Sequence, residues 1–92
     1  MKNELAKNEL AKMVKRYNEI YFDFENGLCG FTACRKLPAV QLTREGFAGM
    51  FPDEKPEYKA DIEQDRYEKS VVYDGVQFFC LLDREEYEDE TF

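Results

Sequence analysis

The chain has 92 residues, of which 43 % are hydrophobic and 36 % charged, with a formal net charge of −7 and no histidine. A chain of this length builds one domain, residues 1–92, with one modest core, and its apolar content excludes a disordered chain. Histidine is the side chain most used for proton transfer near neutral pH and the commonest metal ligand. Without it, and without a phosphate-binding glycine motif, we expect no enzyme activity and no cofactor.

The apolar runs and the cysteines indicate the compartment. The longest uninterrupted apolar run, residues 78–82, is too short to span a membrane, and the start of the chain has no apolar signal region. Three cysteines at irregular spacing do not form a disulfide framework. We therefore expect free thiols and a cytoplasmic protein.

The chain opens with a repeat of good helix formers, KNELA at residues 2–6 and again at 7–11. An apolar stripe follows steps of three and four through Ala6, Leu10, Met13, Val14 and Tyr17. This stripe predicts a packed helix over about residues 6–18. The repeat itself advances roughly 500° every five residues and shares no single stripe, so we expect residues 1–9 to fray.

A first β-hairpin is predicted around Asn26-Gly27, which lies between two alternating apolar runs and favours a type I′ turn. The two-residue loop pairs three sets of apolar residues: Phe24 with Cys29, Phe22 with Phe31, and Ile20 with Ala33. We expect the N-terminal helix to pack on the face that holds Phe22, Phe24 and Phe31.

Two short helices are predicted between the hairpins. Thr43 is a good N-cap for a helix that runs to about residue 50 and is ended by Pro52. Pro56 suits the first position of a second helix, which runs to about residue 66 with Tyr58 and Ile62 on a narrow apolar face.

A second β-hairpin is predicted at Asp74-Gly75. Its two-residue loop gives three pairs, which are Tyr73 with Val76, Val71 with Phe78, and Lys69 with Cys80. Phe79 and Leu81 then fall on the opposite, polar face of the hairpin. Either a helix or loop covers them, or they form an exposed patch that binds a partner.

The remaining residues, from Asp83, carry a net charge of −5 over ten residues and are predicted to be a frayed acidic tail, residues 84–92. The fold expected is α+β, in the order α-β-β-α-α-β-β, with both hairpins in one antiparallel sheet. Its predicted core includes four phenylalanines: Phe22, Phe24, Phe31 and Phe78.

No metal site is expected from the cysteines or from the acids. Cys29 and Cys34 point to opposite sides of the predicted strand, and we place Cys29 and Cys80 in the core and Cys34 at the surface. Asp61, Glu63 and Asp65 repeat the opening spacing of a calcium-binding EF-hand loop. The glycine and the final acid that such a loop needs are replaced by Arg66 and Val72, so the match fails.

The acidic residues are concentrated in one part of the chain. Residues 1–36 carry seven basic and five acidic side chains, whereas residues 37–92 carry six and fifteen. Such a region repels nucleic acid and membrane surfaces and attracts a basic surface. Carboxylates on a rigid scaffold imitate the phosphates that a nucleic-acid-binding groove recognises, and exposed tyrosines supply anchors for the contact.

In size and charge the chain is similar to phage-encoded nucleic-acid mimics, such as anti-CRISPR and anti-restriction inhibitors. This resemblance implies an inhibitor that blocks a basic nucleic-acid-binding protein and that touches neither nucleic acid nor membrane itself. The partner-binding residues expected are Glu57, Tyr58, Asp61, Glu63, Asp65, Tyr67, Glu68, Asp83, Glu85, Glu86 and Tyr87. The alternative is a structural or oligomerising module, for instance a homodimer, that uses Phe79 and Leu81. A third hypothesis is a small-molecule or metal binder that uses Cys34.

Overall fold

The computed structural model describes residues 2–23, 27–32 and 35–92, and in these residues three helices flank a five-stranded mixed sheet. The elements in chain order are α1 Asn3–Tyr21, β1 Leu28–Thr32, β2 Ala39–Leu42, α2 Arg44–Met50, β3 Glu57–Asp61, β4 Arg66–Tyr73, β5 Val76–Leu82 and α3 Arg84–Thr91. The predicted α+β class is therefore confirmed.

The strands lie in the order β1-β2-β5-β4-β3. β2 pairs in parallel with β5, and every other neighbouring pair is antiparallel. The predicted antiparallel sheet of two hairpins is therefore only partly correct. The strand that changes the topology is β2, which joins β1 to β5 and is only four residues long, too short to show a clear alternation of apolar and polar residues.

The second hairpin, β4 and β5, is confirmed together with its register. Tyr73 pairs with Val76 and Lys69 with Cys80, as the sequence predicts. The two turn residues, Asp74 and Gly75, have φ values of 51° and 75°, which a type I′ turn requires.

The first hairpin is wrong, because α1 continues as helix to Tyr21 and β1 pairs with β2 instead. Gly27 does have the expected positive φ of 69°. Its carbonyl, however, accepts a hydrogen bond from Thr43 N at 2.7 Å and so joins the start of β1 to the start of α2. The predicted positions at Phe24, Asn26, Ala33 and Cys34 lie outside the described residues.

Helix α1 is longer than predicted and includes most of the KNELA repeat. None of its residues is buried, and its main contact with the sheet is the Tyr17 ring, 4.8 Å from the Phe31 ring. The radius of gyration is 15.4 Å, against about 12 Å for a compact chain of this length. The predicted packing of α1 on a phenylalanine face is therefore wrong, and Phe22 and Phe31 are exposed.

The core lies between the helices α2 and α3 and the sheet face that carries Phe78, Cys80 and Leu82, which is the apolar face expected for the second hairpin. Its buried residues are Leu42, Phe47, Tyr67, Cys80 and Leu82. Phe78 packs against this cluster, which agrees with its predicted place in the core. The predicted N-cap of α2 is also confirmed, since Gly46 N donates to Thr43 Oγ1 at 3.0 Å.

The helix predicted at residues 56–66 is wrong, because this segment forms β3 and the turn into β4. Tyr58 pairs with Lys69 and Ala60 with Tyr67, so β3 completes the edge of the sheet. Pairing along a formed strand satisfies the backbone of β3 and places Tyr58 against the core. This stabilisation outweighs the preference of Pro56 for the first position of a helix. The predicted helix would have had Ile62 on its apolar face, but Ile62 is exposed in the structure.

The predicted acidic tail is also wrong, because it folds as α3. Asp83 is its N-cap: Asp83 Oδ1 accepts from Glu86 N at 2.7 Å, and Glu86 Oε1 accepts from Asp83 N at 2.9 Å. This capping box satisfies two backbone donors at the helix start. No helix in the described part of the chain is both long and apolar enough to span a membrane.

Candidate functional site

The candidate site is one end of the sheet, where two acidic segments meet. Asp61 pairs with Arg66 across the β3–β4 turn, and Tyr67 pairs with Leu82 at the end of β5. The turn therefore lies next to Asp83 and the start of α3. We call residues 61–66 and 83–92 together the acidic end.

The acidic end contains most of the excess negative charge of the protein. It holds nine acidic and two basic residues, a net charge of −7, which Arg44 and Lys69 reduce to −5 through their contacts with Glu86, Asp89 and Glu90. The sequence locates the excess only in residues 37–92. The fold brings its two parts together, which concentrates the field at one end of the molecule.

Several carboxylates at the acidic end point into solvent. Glu63 and Glu85 are exposed and form no ion pair with any described residue. Asp61 accepts a hydrogen bond from Gln64 N at 3.3 Å, and Glu88 pairs with Arg84 at 3.1 Å. Most of this charge is therefore available to a partner.

The three tyrosines expected as exposed anchors are not exposed. Tyr67 is buried, and its ring stacks on Tyr87 with centroids 4.9 Å apart. Burial, with a hydrogen bond to Asp65, raises the pKa of the Tyr67 hydroxyl. Tyr58 is half-buried, with its ring 6.2 Å from that of Tyr87. These ring contacts join α3 to β3 and β4, so they hold the two parts of the acidic end together.

A cluster around Glu90 also joins these elements, and no local sequence pattern predicts it. Glu90 accepts hydrogen bonds from Lys69 Nζ at 2.7 Å, Arg44 Nε at 2.8 Å and Tyr58 Oη at 2.9 Å. Arg44 also contacts Glu86 at 3.3 Å. The cluster joins α2, β3, β4 and α3, and each contact is distant in sequence. The local sequence signal that indicates α3 is the capping-box spacing of Asp83 and Glu86.

Glu68 lies on the other face of the sheet, in a groove of about 510 Å³ lined mainly by charged and polar side chains. Arg35 binds it with two nitrogens, at 3.0 and 3.2 Å, and also donates to Gln77 at 3.1 Å. Glu57, Lys59 and Asp61 line the same groove. Because Arg35 neutralises Glu68, Glu68 adds little to the acidic end.

The apolar patch considered at Phe79 and Leu81 is mostly covered. The Arg35 guanidinium carbon lies 3.9 Å from the centroid of the Phe79 ring, and Phe79 is buried. Leu81 remains 42 % exposed. Of the two expectations for this face, covering by a loop is therefore correct for Phe79.

Of the two described cysteines, one is buried as predicted and the other is exposed. Cys80 is fully buried in the core as expected, and burial raises the pKa of its thiol to about 11. Cys29 is exposed, so its predicted core position is wrong, and both thiols are free. Cys34 lies outside the described residues. Within the described ranges, no group of three or more acidic or cysteine side chains is arranged to hold a metal ion.

Comparison of the chain with protein-family models, with curated proteins and with solved structures finds no match. Function is therefore inferred from the geometry and charge of the described residues.

Proposed function

We propose that this protein is a non-catalytic interaction domain whose acidic end binds a basic macromolecular surface. The observation that carries the proposal is the concentration of most of the net negative charge at one end of a folded scaffold. The partner of best fit is a nucleic-acid-binding protein, because its basic surface is built to neutralise a row of phosphates. The protein then acts as an inhibitor that competes with nucleic acid for that surface.

The acidic end holds its carboxylates on two rigid supports, a tight turn and a capped helix. Side chains three or four residues apart on α3 lie about 5 to 6 Å from one another, and Glu85, Glu88 and Asp89 follow that spacing. Fixed charges of this kind accelerate encounter with an oppositely charged partner.

The contact surface differs from the set of residues expected from the sequence. Six of those residues are exposed: Glu57, Asp61, Glu63, Asp65, Asp83 and Glu85. The three tyrosines, Glu68 and Glu86 are buried or half-buried and paired, so they hold the scaffold together. The proposed interface is therefore made of carboxylates, and its affinity falls steeply as salt concentration rises.

The test is a charge reversal at the acidic end. The double variant Glu63→Lys/Glu85→Lys changes two exposed carboxylates that make no ion pair with described residues, so folding is unaffected. The matched control, Asp53→Lys/Glu54→Lys, changes net charge by the same amount at exposed positions near Tyr73 and Phe78, at the other end of the sheet.

Each variant is used to capture proteins from an extract of the native cell at low and at high salt. Wild type and the control are expected to retain a basic nucleic-acid-binding protein, which duplex DNA or RNA displaces. The Glu63→Lys/Glu85→Lys variant is expected to lose it. Equal, salt-insensitive capture by all three chains would overturn the proposal and favour an apolar interface.

A further inference from the structure

Helix α1 presents an apolar face to solvent for most of its length. Leu10 and Met13 are 58 % and 63 % exposed, and Val14 is exposed beside them. Among the described residues, α1 contacts β1 at Tyr17, whose ring meets Phe31. Single exposed apolar residues are ordinary, but a continuous stripe on a projecting helix indicates a contact with another chain.

The stripe follows the spacing of a coiled coil. Ala6, Leu10, Met13, Tyr17 and Ile20 are separated by four, three, four and three residues. In heptad notation these residues alternate between the d and a positions, which form the seam between two helices. Glu9 and Arg16 then occupy the two g positions that flank the seam.

We propose that two copies of this chain associate through an antiparallel pairing of their α1 helices. In this pairing Leu10 lies opposite Met13 of the second copy, and Ala6 lies opposite Tyr17. The Ala6–Tyr17 layer joins a small side chain to a large one, and the Leu10–Met13 layer joins two side chains of similar volume, so the seam is filled evenly. The inference does not depend on the acidic end, which lies on other elements.

The flanking charges select this direction and this register. In an antiparallel pair the g positions of the two helices face each other, so Glu9 meets Arg16 of the second copy on both sides of the two-fold axis. A shift of one heptad in either direction would place Glu9 against Glu9 or Arg16 against Arg16. In a parallel pair the same two residues would face Val14 and Tyr21, and neither charge would be matched.

Glu9 and Arg16 already form ion pairs within α1, and these pairs compete only weakly with the proposed pairs between helices. Arg16 pairs with Glu19 at 2.9 Å and Glu9 with Lys12 at 3.8 Å. Both are exposed pairs within one helix, which solvent screens. Exchange of these contacts for pairs between two helices therefore costs little.

The aromatic residues at the end of α1 extend the interface beyond the helix pair. The Tyr21 ring lies 6.0 Å from Tyr17 and 5.6 Å from Phe22, and Tyr17 meets Phe31. In the proposed register, residues 2–6 of the second copy end beside this aromatic cluster. Exposed Phe22 and Phe31 then gain a partner, and the short seam of about two heptads gains additional apolar area.

The first test compares two leucines with the same local sequence and the same exposure. Leu5 is 57 % exposed and Leu10 58 %, but only Leu10 lies on the seam. Sedimentation equilibrium from about 1 to 200 μM is expected to show a dimer for wild type and for Leu5→Glu. Leu10→Glu is expected to weaken association by about a hundredfold or more, because two charges enter the seam. A wild type that stays monomeric, or equal loss in both variants, would overturn the proposal.

The second test is a charge exchange that fixes the register. Glu9→Arg and Arg16→Glu each create two like-charge pairs, one on either side of the two-fold axis, and are expected to weaken the dimer by about tenfold. The double variant Glu9→Arg/Arg16→Glu keeps the net charge of wild type and is expected to restore the dimer. Failure of the double variant to recover association would exclude this antiparallel register, and circular dichroism checks that all four chains keep the same helix content.

Discussion

Lys69 Nζ lies 2.7 Å from Glu90 Oε1, and this ion pair fastens the last turn of α3 to the middle of the sheet. The two side chains are only 9 % and 16 % exposed, so each charge depends on the other. Lys69 stands on the core face of β4, where its ammonium also lies 5.0 Å from the centroid of the Phe47 ring. The pair explains why a lysine occupies a position that the hairpin register assigns to the core.

The substitution Glu90→Gln is expected to lower the free energy of unfolding by about 2 to 3 kcal/mol, because it leaves the Lys69 ammonium without its counter-charge. Glutamine has the same size as glutamate, so the lost stability is due to the removed charge. Chemical denaturation measures the free energy of unfolding of both chains. The control Glu85→Gln, on the exposed side of the same helix, is expected to change stability by less than about 0.5 kcal/mol. Equal effects would show that α3 is not held by the Glu90 cluster.

The same carboxylate predicts an acid dependence of stability. Burial alone would raise the pKa of Glu90, but the hydrogen bonds from Lys69, Tyr58 and Arg44 outweigh burial and lower that pKa from its ordinary value of 4.5. A pKa that is lower in the folded state adds stability above the ordinary value, and that stability is lost as the pH falls through the folded pKa. The stability difference between wild type and Glu90→Gln is therefore expected to shrink below about pH 4.5. A difference that is constant from pH 7 to pH 3 would contradict this account.

Two phenylalanines separate the core found in the structure from the core predicted by the sequence. Phe47 is 2 % exposed, and Phe47→Ala is expected to cost about 3 to 5 kcal/mol. Phe31 is 60 % exposed, and Phe31→Ala is expected to cost less than about 1 kcal/mol in a monomeric sample. The free energies of unfolding from denaturant titrations, at low protein concentration, give both values. A larger loss at Phe31 would mean that α1 packs on β1 more closely than described.

The part of the fold that the sequence predicts well depends on local signals. At Asp74-Gly75, the turn and the alternation on both sides belong to one continuous segment, so the register follows from counting residues. Thr43 likewise caps a helix that begins at the next residue. In both cases the residues that determine the structure are within a few positions of one another.

The misassigned segments depend on distant neighbours. Gly27 carries the turn signal, but its positive φ serves a close approach to Gly46, whose Cα would lie 2.7 Å from a Cβ at that position. Ile20 and Tyr21, which belong to the predicted strand, continue α1 as helix, although their composition favours a strand. The segment after Pro56 becomes β3 because β4 is available as a partner, and no local pattern reveals that strand.

The sequence predicts that the candidate site is acidic, but it does not predict which elements form the site. The acidic region is visible in the sequence, but the meeting of the β3–β4 turn with α3 requires the sheet order. Glu90 and Arg44, which are 46 positions apart, pair only because α2 and α3 cover the same sheet face. The tyrosines were misjudged for the same reason, since α3 covers residues that would otherwise face solvent.

The two glycines with positive φ are expected to respond differently to alanine. At Gly75, a Cβ meets nothing within 4 Å, so Gly75→Ala costs only the backbone strain of about 1 to 2 kcal/mol. At Gly27 the same strain is joined by overlap with Thr43 Oγ1 and with the Gly46 backbone. Gly27→Ala is therefore expected to destabilise the protein by at least about 1 kcal/mol more than Gly75→Ala. Thermal unfolding of both variants measures the difference, and equal melting temperatures would show that the β1–α2 approach is looser.

Thiol labelling tests the placement of the two described cysteines. In a Cys34→Ser background, Cys29 is exposed and is expected to react at once with a disulfide reagent at pH 8. Cys80 is buried, and a thiol pKa of about 11 leaves on the order of one thiolate in a thousand at that pH. Its labelling is therefore expected to follow opening of the core and to accelerate with added denaturant. In the further variant Cys29→Ser the fast phase should vanish and the slow phase should remain. Two fast phases before that substitution would mean that β5 is accessible in the native protein, and that α2 and α3 do not cover the sheet as described.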